Sequence, residues 1–341
     1  MTVVAYVSNA DSGDISVLRL GADGTLDAVQ TRPAGGTVMP LAVGPGRHHL
    51  YAALRSEPWS VACFDIDTAT GELAPLATVP LPADTAYLST DRTGRYLFGA
   101  SYTGNIVSVN AIGPDGVVAP DPVAVLPTPP HAHSIVVAPD NRHLFAAVLG
   151  GDAVLQFRFD PQTGVLTPND PAFVSTLPGA GPRHLVFHPG GRFVYVADEL
   201  DGTVGGYEFD SGTGQLVPLD TISVLPDGVS QPWTAELRLT PDGRLLYVSD
   251  RTSSTLAGFR VDATTGALKL LGHTETEACP RGFDIDPGGR FLLAAGQQSD
   301  ALTVHAIDAD SGALRPLGRY PVGRNPNWVQ IVELPSVPEP G

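Results

Sequence analysis

The stretch GPRHLVFHPGGRFVYVADEL, residues 181–200, decides the fold. Two short apolar runs flank PGGR, whose proline and glycines are turn chemistry. Charge stands at both outer ends, with Arg183 and His184 before the first run and Glu199 after the second. A hairpin would bring those ends together, and the pattern recurs. GPGRHHLYAA (44–53), DRTGRYLFGA (91–100), PDNRHLFAAV (139–148), PDGRLLYVSD (241–250) and PGGRFLLAAG (287–296) repeat the turn and the second run.

The turn arginines, Arg47, Arg95, Arg142, Arg192, Arg244 and Arg290, follow one another at intervals of 46–52 residues. A second anchor, usually TGxL, supplies seven glycines at similar intervals: Gly24, Gly71, Gly116, Gly164, Gly214, Gly266 and Gly312. A period in the forties with alternating apolar residues predicts an all-β fold, a seven-bladed β-propeller of four-stranded antiparallel blades. The N-terminal VVAYVSN (3–9) matches a second strand and the C-terminal NPNWVQIVEL (325–334) a first strand. The two ends are therefore expected to pair in one blade, closing the ring and removing two free sheet edges. One domain is expected over 1–334, with a short tail at 335–341.

The chain has 341 residues, 43% hydrophobic and 16% charged, enough for a large core. A net charge of −16 argues against nucleic acid or anionic membrane as partner. Cys63 and Cys279 lack metal-type spacing and read as free thiols of a reducing compartment. The opening MTVVAYVSNA has no basic region of a signal peptide, and no apolar run approaches ~18 residues. A soluble cytoplasmic protein is expected, a monomer or weak homo-oligomer.

In a four-stranded blade the segment before strand one and the turn after strand two share a rim, at the mouth of the central channel. Aligning the repeats there gives a first column of Met39, Thr85, His133, Arg183, Ala235 and Arg281. The next holds Pro40, Ala86, Ser134, His184, Glu236 and Gly282, and the strand-two exits hold Leu54, Tyr102, Leu149, Glu199, Arg251 and Gln297. A purely structural column repeats one residue type, as the turn arginines do. These vary and concentrate charge, which is how a site is grafted on a symmetric scaffold. Arg183, Arg251 and Arg281 together favour a phosphate or carboxylate. Glu199, His131 and His133 are the candidate general bases. His184, Glu236 and Gln297 complete the candidate set. Each has a structural reading too: Arg183–Glu199 as a strand tie, His184 as a packed histidine, Glu236 as an acceptor of backbone amides. The HxH of His131 and His133 lacks a third ligand, so no metal is expected. Trp233 and Trp328 either wall the channel or pack between blades, and packing is the expected role.

GAGPRHLVFHP, FVYVADEL, AELRLTPDGRLLYVSDRT, ETEACPRGFDIDPGGRFLLAAGQQSD and GRYPVGRNPNWVQIV resemble the propeller-type bacterial 6-phosphogluconolactonases. They belong to the lactonase family that includes the fungal carboxy-cis,cis-muconate cyclase. The resemblance implies hydrolysis of 6-phospho-D-glucono-1,5-lactone, a step of the pentose phosphate pathway, without a cofactor. It implies a small anionic lactone as partner. It places the family's rim residues on His131 or His133, Arg183, Glu199, Arg251 and Arg281. The chain departs from the family at Asp198, Asp250 and Gly296, where many relatives carry Asn, and at Val148, where many carry Asp. Activity on another lactone or a muconate, and a non-enzymatic interaction platform, are the competing readings.

Overall fold

Each repeat folds as a meander because its turns leave too few residues for any crossover, so successive strands can only pair with their neighbours. The second strands, such as Phe193–Asp198 and Leu245–Asp250, are buried along their whole length and read as continuous apolar runs. The fourth strands, such as Gln215–Ser223, are mostly exposed and carry polar residues and prolines, as suits an outer edge. The structure is a computed structural model that describes residues 2–335, and it contains twenty-eight strands in seven four-stranded sheets. The one helical element among the described residues is a single 3₁₀ turn, Leu149–Gly151.

Counted from the N-terminus, the inner strands of blades one to seven are Pro326–Glu333, Val38–Val43, Tyr87–Thr90, Ala132–Val137, Pro182–Phe187, Thr234–Leu239 and Pro280–Ile285. Each packs on the inner strand of the next blade, and Pro280–Ile285 returns to Pro326–Glu333. Blade one joins the chain ends as expected: Val3–Asn9 pairs antiparallel with Pro326–Glu333, with Tyr6 opposite Gln330. The greater part of the anticipated tail, 336–341, lies outside the described residues.

The repeated motifs lock blade to blade. The buried hydroxyls of Tyr6, Tyr195 and Tyr247 donate to the carbonyls of Gly71, Gly266 and Gly312, each the TGxL glycine of the following blade. Gly266 has φ +74°, and a Cβ there would stand 2.5 Å from the Phe193 ring, so both conformation and space require glycine. Arg95, Arg192 and Arg290 likewise donate to carbonyls in the next blade's turn, at Gln162, Thr264 and Ala22.

Candidate active site

Six of the seven inner strands are irregular at the same height. Pro182 pairs with Asp198 and His184 with Ala197, leaving Arg183 as an extra residue. The same bulge isolates His133 in blade four, Arg281 in blade seven and Asn327 in blade one, and it recurs around Met39 and Ala235. A regular strand sends successive side chains to opposite faces, whereas a bulge re-aims one of them. Arg183 and His184 therefore meet, with Arg183 Nη1 donating to His184 Nε2 at 3.2 Å.

Arg183 is fully buried. Its Nε lies 2.8 Å from Glu199 Oε2, and its Nη1 also donates to the Ala235 carbonyl of blade six at 2.5 Å. Arg251 Nη2 lies 2.9 Å from the same Glu199 oxygen, while its Nε donates to the Trp233 carbonyl at 3.0 Å. The free ends of the hairpin thus meet as a carboxylate oxygen held between two guanidinium groups, one from each of two blades. Arg281 forms no hydrogen bond or ion pair among the described residues, although it is half-buried beside this cluster. Burial and the mutual repulsion of Arg183, Arg251 and Arg281 act together. Arg251 is pushed down to about 10 and Arg281 is held well below the usual guanidinium range. The site carries more positive charge than Glu199 offsets, and an anion relieves that excess.

His133 and His184 are buried, and burial with Arg183 nearby keeps both well below the usual imidazole value, hence neutral at pH 7. His133 packs edge-on to His184 at 5.1 Å and to Tyr102 at 5.8 Å, and its Nδ1 has no partner among the described residues. His131 sits at the rim with φ +67°, its ring stacked on Tyr102 at 4.2 Å and its Nδ1 3.2 Å from the Tyr102 carbonyl. Gln297 donates to Asn325 Oδ1 at 2.9 Å. With Trp233, Cys279 and Arg324 it lines a cavity of about 390 Å³ over blade seven.

Below the arginines lies a second charged tier. His184 Nδ1 lies 3.0 Å from Glu236 Oε1, and the same oxygen accepts from Arg238 Nη1 at 2.8 Å and from the Leu237 amide at 3.0 Å. Arg238 Nε continues to Asp284 Oδ1 at 3.2 Å. Arg238, Asp284 and Asn327 escaped the column reading. The first two lie deeper on the inner strands, at alternate positions of AELRLT and GFDID, and charge inside an apolar strand was their available signal. Asn327 was missed because the closing blade lacks the arginine turn that anchored the columns.

Of the two tryptophans, Trp233 needs correction. It does not pack between blades: it is 42% exposed, and the Arg251 guanidinium lies 3.9 Å above its ring. Trp328 is buried on the innermost strand of the closing blade and does pack across blades, against Tyr87 of blade three and His184 of blade five. The described residues contain no cluster of three or more His, Cys, Asp or Glu placed to hold a metal ion.

Comparison with known proteins converges on the same architecture. Residues 1–331 match the family model described as lactonase, 7-bladed beta-propeller. The chain is 41% identical over 335 residues to a 6-phosphogluconolactonase of Pectobacterium carotovorum, covering 98% of this chain and all of that one. It is 40% identical over 333 residues to a 6-phosphogluconolactonase of Serratia proteamaculans, covering 97% and 99%. The periplasmic gluconolactonase PpgL of Pseudomonas aeruginosa superposes with a TM-score of 0.91 at 32% identity, covering 98% and 100%. With blades, ring closure and family model in agreement over nearly its whole length, the chain belongs to the lactonase family of seven-bladed β-propellers.

Proposed function

We propose that this protein hydrolyses 6-phospho-D-glucono-1,5-lactone to 6-phospho-D-gluconate at the mouth formed by Arg183, Glu199, Arg251 and Arg281. The observation that carries the reading is the division of labour among the arginines. Arg183 and Arg251 pair with Glu199, whereas Arg281 forms no ion pair among the described residues and is the seat for the phosphate. The relatives named 6-phosphogluconolactonase at about 40% identity support the phosphorylated substrate.

In the mechanism, water attacks the lactone carbonyl carbon while Glu199 takes its proton. As Glu199 becomes neutral, negative charge appears on the carbonyl oxygen, and Arg183 and Arg251 exchange one anion for the other. The two guanidinium groups therefore remain compensated through the step, which is the economy of a preorganised site. The carbonyl re-forms as the ring C–O bond breaks, and the leaving ring oxygen takes the proton held by Glu199, which returns to the carboxylate. His133 stays uncharged, because its protonation would add a cation beside three arginines, and serves as a hydrogen-bonding neighbour. The protein acts in the cytoplasm, a reading its two free cysteines support.

The test is hydrolysis of freshly prepared 6-phosphogluconolactone above the spontaneous rate, with plain gluconolactone as the comparison. Saturable acceleration that needs the phosphate supports the reading. Equal use of both lactones moves the assignment toward the gluconolactonase activity named for the Pseudomonas relative. No acceleration of either lactone overturns it.

A further inference from the structure

We propose that His184 and Glu236 are positioning residues that hold the Arg183 guanidinium in register with Glu199, through a fixed imidazole tautomer. The proposal rests on the lactonase reading and deepens it.

The chemistry of the donors sets the tautomer. Arg183 Nη1 can only donate, so His184 Nε2, 3.2 Å away, must present its lone pair. Glu236 Oε1, 3.0 Å from Nδ1, already accepts from Arg238 and the Leu237 amide, so Nδ1 carries the proton. A neutral imidazole bridging a carboxylate and a guanidinium is a rigid spacer between the two tiers of the channel. The spacer is itself braced. Glu236 is pinned by Arg238, and Arg238 by Asp284, whose second oxygen accepts the Ile331 amide of the closing blade at 2.7 Å. The ring of His184 is walled by Tyr87, His133 and Trp328, at centroid distances of 4.9, 5.1 and 5.7 Å. With both nitrogens engaged, His184 has no free atom with which to take a proton from water. Its reach to the reaction is through Arg183, and a shift of that guanidinium by about 1 Å is enough to impair catalysis strongly.

His184→Phe is the informative variant, because the aromatic walls accept a phenyl ring. Arg183 keeps its Ala235 and Glu199 partners, and Glu236 keeps Arg238 and the Leu237 amide. We expect kcat for the phospholactone to fall by about tenfold or more, the scale of one hydrogen bond to a charged group, with KM within about twofold. His184→Gln, whose carbonyl can accept from Arg183, should recover part of the loss. Glu236→Gln should behave like a milder His184→Phe. ¹⁵N NMR of the wild-type protein at pH 7 supplies a readout independent of activity: His184 should show protonated Nδ1 and bare Nε2. A bare Nδ1 or a doubly protonated ring overturns the proposal. So does a folded His184→Phe protein whose kcat stays within twofold of wild type. Wild-type protein that fails to hydrolyse any lactone, with the Nδ1–H tautomer present, sinks the lactonase reading instead.

Discussion

Arg183 and His184 are neighbours in sequence, yet both turn to the same adjacent blade, Arg183 to the carbonyl of Ala235 and His184 to the carboxylate of Glu236. The bulge that makes this possible spends one extra residue and gains a guanidinium with three fixed partners. Lysine keeps the charge but cannot reproduce a planar fork reaching Glu199, Ala235 and His184 at once. Arg183→Lys should therefore lower kcat by about 10²-fold, the scale of losing an aligned oxyanion donor. It should also lower Tm, since a buried polar network is left partly unsatisfied. Steady-state kinetics with a thermal melt of the same preparation checks both.

Arg281 presents the opposite case. Its guanidinium is crowded by Arg183 and Arg251 and forms no ion pair among the described residues. Replacing it removes repulsion from the folded state while removing the proposed phosphate seat. Arg281→Gln should hold or raise Tm, yet raise KM for 6-phosphogluconolactone by about tenfold or more, with each tenfold worth about 1.4 kcal/mol. The KM for plain gluconolactone should change little. A fall in Tm, or equal KM changes for the two lactones, would count against the role given to Arg281.

The repeat spacing made the architecture legible, because every blade must place a turn and a glycine at the same height to pack on the next. Arg183, Glu199, Arg251 and Arg281 were legible for a related reason. Each broke a column that structure alone would have kept uniform, and the four stand together in space. The bulges were not legible, since an extra residue in a strand changes pairing without changing composition. That is why Glu236 read as a rim residue, although it belongs to a buried tier, whereas Arg238 and Asp284 went unread because they lie deeper on regular stretches of the inner strands, below the aligned columns. Trp233 was misplaced because a tryptophan in a repeat usually packs, whereas here a neighbouring arginine covers one of its faces.

Asp198, immediately before Glu199, is buried with Oδ1 unpartnered among the described residues, and only Thr203 donates to Oδ2, at 3.1 Å. Its counterpart Asp250 is better satisfied, accepting from the Trp233 and Ser253 amides at 2.8 Å each. Burial, with Asp201 adding repulsion, pushes Asp198 up to about 7. A carboxyl whose pKa is raised by folding binds more protons in the native state. Its contribution to stability is therefore full below its ordinary value of 3.8 and is lost as pH rises to about 7. The span corresponds to something on the order of 4 kcal/mol at 1.36 kcal/mol per pH unit. Asp198→Asn, which keeps the shape without the charge, should stabilise the protein more at pH 8 than at pH 5, by about 2–3 kcal/mol, since about two of the three pH units between the two pKa values lie above pH 5. Urea unfolding at the two pH values tests this, and a gain of equal size at both would refute it.

The inter-blade clamps predict a variant that separates scaffold from site. Tyr195 donates to the Gly266 carbonyl at 2.8 Å across the boundary between blades five and six, on the rim opposite Arg183 and Glu199. Tyr195→Phe keeps the ring in the core and deletes one buried hydrogen bond, leaving the Gly266 carbonyl short of a partner. The loss should be about 1–2 kcal/mol. In a domain of 341 residues that corresponds to a Tm lower by about 1–2 °C per kcal/mol. Because this clamp acts at the far end of the blade, kcat and KM should remain within about twofold of wild type. Paired with Arg281→Gln, the two variants separate the effects: Tyr195→Phe lowers stability and leaves substrate affinity alone, and Arg281→Gln lowers affinity without lowering stability. A loss of turnover in Tyr195→Phe matching its loss of stability would mean that the mouth is not held independently of the far rim.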